Sequence, residues 1–76
     1  MSGFDAELDV RRLACPLPIL RTKKALAEMP AGQVLRVVAT DRGALKDFPD
    51  FCAKTGHELV SAVSQGEEFV FLIRRR

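Results

Sequence analysis

The 76-residue sequence lacks tryptophan and tyrosine and has one histidine, two cysteines and five phenylalanines. It has no apolar run near the roughly 18 residues that a membrane span needs, and no hydrophobic segment of a signal peptide. Two cysteines are too few for a disulfide-stapled small protein, and their spacing does not match a metal site. The net charge of +2 is too small to indicate a nucleic-acid partner. We therefore expect a cytoplasmic protein with reduced thiols, without a metal, a membrane association or a direct nucleic-acid contact.

What is present is a set of patterns typical of a small α/β protein. Apolar residues make up 47% and charged residues 29% of the sequence. The patterns predict strands over 5–11, 34–40, 58–64 and 68–74, and helices from 16 to about 29 and over 44–55. In the second helix, Pro49 favours an irregular turn over 44–47 and a main helix that begins near Phe48, with Asp47 as its N-cap.

The order βαβαββ predicts an α+β fold, a two-layer α/β sandwich with a four-stranded mixed sheet and two helices on one face. We expect a single domain over 1–76, with disorder at 1–4 and 75–76. The first strand, helix and strand form a βαβ unit, whose right-handed crossover makes the two strands parallel. Their carboxyl ends then share one sheet edge, which should bring Asp41 near Cys15.

The apolar periodicity assigns two faces to the sheet. The predicted core consists of Ile19, Leu26, Leu35, Val37, Leu59, Phe69, Phe71 and Ile73. The opposite face is predicted to show Val34, Val38, Val60, Ala62, Val70 and Leu72. So apolar a face favours a partner or dimer surface, although a shift of one residue in register would exchange the two faces.

The sequence around Cys15 predicts a reactive sulfur at a helix start. Pro16 and Pro18 mark that start, because the first helical turn tolerates proline. Free N–H groups and partial positive charge at this end favour an anion, and Arg11 and Arg12 add positive charge. The helix end contributes only about 0.3–1 kcal/mol, which leaves an ordinary thiol mostly protonated at neutral pH. A persulfide is more acidic than a thiol, so the place suits carrying sulfur better than hydrolysis.

Other roles for the thiols and the histidine are weighed against this one. Free cysteine is often a small buried hydrophobe, which is the alternative for Cys15. No second cysteine follows in the Cys15-x-x-Pro18 pattern, which argues against dithiol exchange. Cys52 falls on the buried side of the second helix and is interpreted as structural, with a secondary redox role as the alternative. His57 follows a glycine, so a turn or surface role is favoured over a general base for Cys15.

The segment Asp9-Val10-Arg11-Arg12-Leu13-Ala14-Cys15-Pro16-Leu17-Pro18-Ile19-Leu20 resembles the signature of the TusA/SirA-like sulfur carrier family, whose mark is C-P-x-P. The resemblance covers nearly the whole chain, from about 6 to 73. It implies the βαβαββ sandwich, a sulfur-bearing cysteine at Cys15 and helix-starting prolines at Pro16 and Pro18. Many members have glycine where this chain has Arg12. If that glycine has a positive φ, Arg12 is strained there, and its charge could equally lie beside the sulfur.

The resemblance also implies a function. The protein would accept sulfane sulfur from a cysteine desulfurase or another persulfide donor and pass it to a downstream sulfur-acceptor protein. The pathway would be tRNA 2-thiouridine formation or related sulfur trafficking, with no cofactor. We expect a sulfurtransferase-type carrier rather than a stand-alone turnover enzyme. Arg21, Lys23 and Lys24 are candidates for docking acidic partners, with a solvated helix face as the alternative. Asp41 either caps the second helix or borders the docking site.

Two other classes of protein stay open at this point. A regulatory or protein-interaction module would use the apolar sheet face and treat Cys15 as incidental. A thiol redox protein would form a disulfide at Cys15, which would then carry no sulfur.

Overall fold

The strands and helices follow the predicted order in the computed structural model, which describes residues 3–76. The elements are β1 (Ala6–Val10), α1 (Leu17–Ala27), β2 (Val34–Ala39), α2 (Ala44–Thr55), β3 (Glu58–Gln65) and β4 (Glu68–Arg74). The strands form one sheet in the order β1-β2-β4-β3, in which β1 and β2 are parallel and the other pairs antiparallel. With both helices on one face, the predicted two-layer sandwich is confirmed. Within residues 3–76, no helix has the length and apolar character needed to cross a membrane.

The core lies between the helices and the inward side chains of the sheet. Its buried residues are Val10, Leu26, Leu35, Val37, Ala39, Ala44, Phe48, Phe51, Cys52, Phe69, Phe71 and Ile73. Phe48 of α2 stacks on Phe71 of β4, with ring centroids 4.4 Å apart and planes inclined by 14°. This contact fixes the first half of α2 over the sheet. The predicted core is confirmed except that Ile19 and Leu59 are only partly buried at its edge.

Helix α2 begins earlier than predicted. It runs without interruption from Ala44, with Gly43 as its N-cap, and contains Pro49. Asp47 lies in the first turn and its N–H donates to the Gly43 carbonyl at 2.9 Å, so its assignment as an N-cap was wrong. Proline removes a single intrahelical donor, the one that would reach Leu45, which is exposed and whose carbonyl can turn to water. Burial of the Phe48 side chain stabilises the helix by more than the loss of this one hydrogen bond destabilises it.

A β-bulge changes which side chains of β3 lie on each face. The bulge follows Leu59, and beyond it Ala62 pairs with Phe71 in the row on the helix side. Val63 pairs with Val70 on the opposite, open face. The assignment of Ala62 to the open face was therefore wrong, because one inserted residue reverses the alternation of the strand.

The open face exposes less apolar surface than the sequence predicts. Val34, Val38 and Val70 are only 7–8% exposed, although no helix covers them, and Val60 and Val63 are the members with large exposed fractions. Charged side chains on this face form the ion pairs Arg36–Glu7 and Arg74–Glu58. The aliphatic stems of such long side chains cover neighbouring valines while their charged ends stay in water.

The two C-terminal arginines have defined contacts, in contrast to the predicted disorder. The Arg75 N–H donates to the Gln33 carbonyl at 2.8 Å, and its guanidinium Nε donates to the Leu26 carbonyl at 2.7 Å. The Arg76 N–H donates to Nδ1 of His57 at 3.0 Å. Local composition gave no sign of these partners, because all three are distant in the sequence. At the other end, the first two residues of the segment predicted to be disordered lie outside the described residues.

Candidate functional site

Cys15 is exposed in the loop between β1 and α1, directly before the N-cap of the helix. The N-cap is Pro16, and Pro18 is a buried residue of the first helical turn. The N–H of Leu17 donates to the carbonyl of Ala14 at 2.9 Å, which closes the loop around the cysteine. The first turn of α1 has no acidic residue, so no carboxylate of α1 offsets the positive end of this helix. Because the Cys15 side chain is exposed, the alternative that Cys15 is a small buried hydrophobe is excluded.

The adjacent loop and helix bring two carboxylates to the same sulfur. Cys15 and Asp47 line the same groove between α1 and α2, and the Asp41 carboxylate lies beside that of Asp47. The Asp47 carboxylate as an acceptor for the thiol, followed by partial desolvation and the negative charges of Asp47 and Asp41, raises the pKa of Cys15 above its ordinary value. In the free protein this thiol is therefore held in its protonated form.

Space for the two carboxylates is provided by a glycine. A Cβ atom at Gly43 would lie 3.0 Å from Oδ2 of Asp41 and 3.5 Å from Oδ2 of Asp47. The two carboxylates thus converge on the N-terminus of α2, where the helix dipole favours negative charge. No side chain caps this helix, so Asp41 contributes its backbone carbonyl, which accepts the Ala44 N–H at 3.0 Å. The alternative in which the Asp41 side chain caps α2 is therefore not observed.

Sequence reasoning placed Asp41 near the cysteine but missed Asp47. The reason is that Pro49 was interpreted as the start of a new helix, which made Asp47 a cap. A usable signal was nevertheless present. The parallel pairing of β1 and β2 places both βα loops at one sheet edge, so an acidic residue in the first turn of α2 falls within reach of Cys15.

Arg11 does not act on the sulfur as expected. Its guanidinium pairs with Asp9 at 2.9 Å and with Glu68 at 3.2 Å. These contacts lower the pKa of Asp9 to about 2 and raise that of Arg11. The charged groups that shift the pKa of Cys15 are both acidic. The prediction that Arg11 stabilises an anion at Cys15 is therefore corrected: two carboxylates hold its charge, one of them 57 residues away in the sequence.

Arg12 adopts the conformation expected of a glycine. Its φ is +67°, and its N–H donates to Oγ1 of Thr40 at 2.8 Å. The positive φ suspected from the family resemblance is thereby observed, in a region that a side chain with a Cβ rarely occupies. The charge of Arg12 helps to lower the pKa of Asp9 and does not figure among the groups that act on Cys15. Its side chain thus adds no positive charge to the sulfur.

The predicted docking residues lie on two sides of α1. Lys23 lines a groove between α1 and α2 that also contains Cys15, together with Lys46 and Lys54 of α2. Arg21 and Lys24 line a second groove on the other side of α1, beside the exposed Leu17 and Leu20. The structure therefore separates the three basic residues that the sequence grouped, and Lys23 is the one that shares a groove with the sulfur.

The second cysteine and the histidine have structural surroundings. Cys52 is 5% exposed within the core, and desolvation raises the pKa of its thiol. The ring of His57 lies 5.8 Å from that of Phe51 and accepts the Arg76 N–H. Burial, together with the charges of Arg75 and Arg76, lowers the pKa of His57. Neither residue is among the groups that act on Cys15. In the described part of the chain, no cluster of three or more His, Cys, Asp or Glu residues could hold a metal ion.

Comparisons with known proteins agree with this fold. The family model described as Sulfurtransferase TusA matches residues 6–75. The chain is 53% identical over 75 residues to the sulfur carrier protein TusA of Allochromatium vinosum, covering 99% of each chain. It is 40% identical over 72 residues to the sulfur carrier protein TusA of Pseudomonas syringae, covering 95% of this chain and 86% of that protein. A crystal structure of a SirA-like protein from Desulfitobacterium hafniense has the same fold, with a TM-score of 0.81, 24% identity and coverage of 92% and 96%.

Proposed function

The chain belongs to the TusA family, and on this premise we propose that it is a sulfur carrier whose Cys15 accepts sulfane sulfur as a persulfide and passes it on. The donor would be a cysteine desulfurase or another persulfide-bearing protein, and the acceptor a thiol on a downstream protein. The observation that carries the proposal is the exposed, free thiol of Cys15 at the start of α1. Another protein can reach such a sulfur without any opening of the fold.

Loading is a thiol–persulfide exchange. The Cys15 thiol loses its proton, and the thiolate attacks the outer sulfur of the donor persulfide. A new S–S bond forms at Cys15 while the donor's S–S bond breaks, and the donor cysteine leaves as a thiolate. The loaded group, Cys15–S–S⁻, then lies next to the N-terminus of α1. Because the first turn of that helix has no acidic residue, the partial positive charge of the helix end favours the anion.

Delivery repeats the exchange in the other direction. An acceptor thiolate attacks the outer sulfur of Cys15–S–S⁻, the S–S bond at Cys15 breaks, and Cys15 leaves as a thiolate. Sulfur thereby passes on without a net change in the redox state of the pair. We place this relay in the cytoplasm, where thiols stay reduced. Formation of tRNA 2-thiouridine, or related sulfur trafficking, is the pathway proposed.

Partner docking would use the two sides of α1 next to the sulfur. Leu17 and Leu20 are 43% and 54% exposed, and Arg21 and Lys24 line the same groove. An apolar centre with basic neighbours fits a partner whose contact surface is apolar and acidic. Lys23, in the groove that contains Cys15, extends the positive charge towards the sulfur.

The test is intact-mass measurement after incubation with a cysteine desulfurase and cysteine. The wild-type protein should gain the mass of one sulfur atom and lose it on treatment with a reductant. The Cys15→Ser variant should gain nothing, while Cys52→Ser should load like the wild type because Cys52 is buried. Equal loading of the Cys15→Ser variant would reject the proposal. A mass increase matching a disulfide with a small thiol, in place of one sulfur, would favour the redox alternative.

A further inference from the structure

The groove that contains Cys15 continues along the two helices to the far end of α2. Its continuation shares four lining residues with it, which are Lys23, Phe51, Lys54 and Thr55. We call the continuous surface the interhelical groove, with a Cys15 half and a far half; the far half is also lined by Ala27, His57, Arg75 and Arg76. A segment bound along this groove can therefore contact the sulfur and the far half at the same time.

The far half is positively charged. Lys23 of α1 and Lys54 of α2 are exposed on its two walls, and neither forms an ion pair within residues 3–76. Arg75 and Arg76 add two more positive charges at its end. Among the described residues, no aspartate or glutamate lines this half. Four positive charges thus share one space without a carboxylate side chain to neutralise them.

Contacts with the main chain hold the two arginines in place. Arg75 donates from Nε to the Leu26 carbonyl at 2.7 Å and from a terminal guanidinium nitrogen to the Arg76 carbonyl at 3.0 Å. The Arg76 side chain lies so close to Gly56 that a Cβ atom there would be 2.9 Å from its Cδ. Burial, followed by these two positive charges, lowers the pKa of His57. Charges that are already in position reduce the ordering cost of binding a partner.

The Cys15 half has the opposite character. Asp47 and Asp50 line it, and the Asp41 carboxylate lies beside that of Asp47. Lys46 neutralises only Asp50, with which it pairs at 2.8 Å. The interhelical groove therefore changes sign along its length. It attracts a segment whose negative charges lie in the far half and repels one whose negative charges lie next to the sulfur.

The length of α2 gives the spacing between the two ends. The helix runs from Asp47 in its first turn to Gly56 at its C-cap, which is about 14 Å at a rise of about 1.5 Å per residue. An extended chain advances about 3.3 Å per residue, so about four residues cover this distance.

We propose that the interhelical groove binds an extended acidic segment of the sulfur-acceptor protein, with the segment's cysteine at Cys15 and its carboxylates about four residues away, against Lys23, Lys54 and the two C-terminal arginines. This inference rests on the proposed function, because it identifies the chemistry of the partner in that same exchange. The acceptor fits better than the donor. It arrives as a thiol, which is mostly uncharged at neutral pH, whereas the donor brings a persulfide anion to the acidic half.

A protein segment also fits the groove better than a nucleic acid does. A single strand carries a phosphate on every nucleotide, so its charges would lie beside Asp47 and Asp50 as well as in the far half. A peptide carries negative charge only where its sequence has acidic residues. The apolar side chains of Ala27 and Phe51 in the far half match the aliphatic parts of such residues.

The experiment follows the reaction of peptide thiols with Cys15 that has been converted to its mixed disulfide with 2-thiopyridine. The peptide thiolate attacks Sγ of Cys15, the S–S bond breaks, and 2-thiopyridone leaves and is measured by its absorbance. Three six-residue peptides begin with cysteine. The distal-acid peptide ends in two glutamates, the neutral peptide ends in two glutamines, and the proximal-acid peptide has its two glutamates directly after the cysteine. A second set with cysteine last covers the opposite chain direction.

The wild type should react about 3- to 10-fold faster with the distal-acid than with the neutral peptide in one of the two sets. The proximal-acid peptide should react more slowly than the neutral one. The ratio of distal-acid to neutral rates should approach 1 at about 0.5 M salt, which screens exposed charges.

Single-charge variants locate the effect in the groove. Lys54→Gln should lower the ratio by about 2-fold, and the double variant Lys23→Gln, Lys54→Gln should lower it further. Arg42→Gln removes the same charge at an exposed position that lines neither half, so its ratio should match the wild type. The neutral peptide reports any change in the reactivity of Cys15 itself, because its rate is the denominator of each ratio.

The outcomes separate this inference from the proposed function. A wild type that loads sulfur from a desulfurase but gives a ratio near 1 with both peptide sets leaves the carrier function standing and overturns the docking of an acidic segment. Equal rates for the distal-acid and proximal-acid peptides would overturn the spacing of about four residues. Stronger competition by a single-stranded DNA of six thymidines than by a cysteine-free distal-acid peptide would assign the groove to a nucleic acid and overturn the inference. A wild type that gains no sulfur but keeps the ratio refutes the carrier function and supports the groove's preference for acidic segments.

Discussion

The two βα loops at the Cys15 edge of the sheet lead into helices whose first turns differ in charge. Helix α1 begins without an acidic residue, and a cysteine precedes it, whereas α2 begins between Asp41 and Asp47. The positive end of α2 is therefore neutralised by carboxylates of its own loop and first turn. The end of α1 has no such carboxylate, and in the proposed function it is left for the anion of the loaded Cys15. The two helix ends at one sheet edge therefore differ in electrostatic character, positive at α1 and neutralised at α2.

The loops also differ in where glycine stands. In the β1–α1 loop, Arg12 has a positive φ that glycine would adopt without strain. In the β2–α2 loop, Gly43 has an ordinary helical φ of −59°, and what it provides is space for two carboxylates. At Gly43, the absence of a Cβ atom leaves space for the two carboxylates. At Arg12, by contrast, a residue with a side chain occupies a left-handed backbone conformation.

The largest effect should come from removing the anchor of α2. Phe48→Ala deletes the ring that stacks on Phe71 and should lower the free energy of unfolding by about 3–5 kcal/mol, because it leaves a cavity in the core. Urea unfolding measures the change. Leu45→Ala, at an exposed position of the same helix, is the control and should stay within about 0.5 kcal/mol of the wild type. A loss below about 1 kcal/mol for Phe48→Ala would show that the stack does not hold the helix.

The next effect concerns the strained loop. Arg12→Gly should raise the free energy of unfolding by roughly 0.5–1 kcal/mol, because relief of the left-handed strain exceeds the added freedom of the unfolded chain. Arg12→Ala retains a Cβ and should bring no such gain. Chemical denaturation of the three proteins decides the matter, and equal stability of the glycine and alanine variants would argue against strain at this position.

The difference in charge between the two helix ends can be removed by placing an acidic residue in the first turn of α1. Leu17→Asp should slow alkylation of Cys15 at neutral pH by about 2- to 5-fold, because a carboxylate there offsets the helix dipole and disfavours the thiolate. Leu17→Asn has a similar shape without the charge and is the control. The rate should recover at high salt, which screens exposed charges. An unchanged rate in Leu17→Asp would mean that the end of α1 does not act on the sulfur.

The smallest effect should come from the far end of α2. The pKa of His57 is lowered from 6.5, so the native state binds fewer protons than the unfolded state. The contribution of His57 to the free energy of unfolding is fully present above pH 6.5, and it is lost as the pH falls from 6.5 towards the lower native pKa. The free energy of unfolding should therefore be lower at about pH 5 than at about pH 8, and this difference should be smaller in the His57→Gln variant. The alkylation profile of Cys15 should be the same in both proteins, and a shifted profile would place His57 at the sulfur site.

The sequence predicts those features that depend on local pattern. Apolar periodicity gave the element order and most of the core, because burial of Leu35, Val37 and Phe71 repeats with the strand period. The place of Cys15 at a helix start followed from Pro16 and Pro18, whose missing N–H groups suit the first turn of a helix. The positive φ at Arg12 could be anticipated only from the family resemblance.

What the sequence could not predict depends on tertiary contacts. Glu68 holds the Arg11 guanidinium from a strand 57 residues away, which removes that charge from the sulfur. Pro49 is a local helix breaker, but the burial of Phe48 outweighs it and carries Asp47 into the groove that contains Cys15. The extra residue in β3 has no signal of its own, and it exchanges the faces of Ala62 and Val63.

That extra residue also has a consequence for behaviour at high concentration. β3 is the longest strand and lies at an edge of the sheet, where unpaired backbone groups offer a template to a strand of another molecule. The bulge after Leu59 bends and twists the strand, so a second chain cannot lie flat along its full length. The bulge thereby disfavours pairing of this edge with a second copy of the chain.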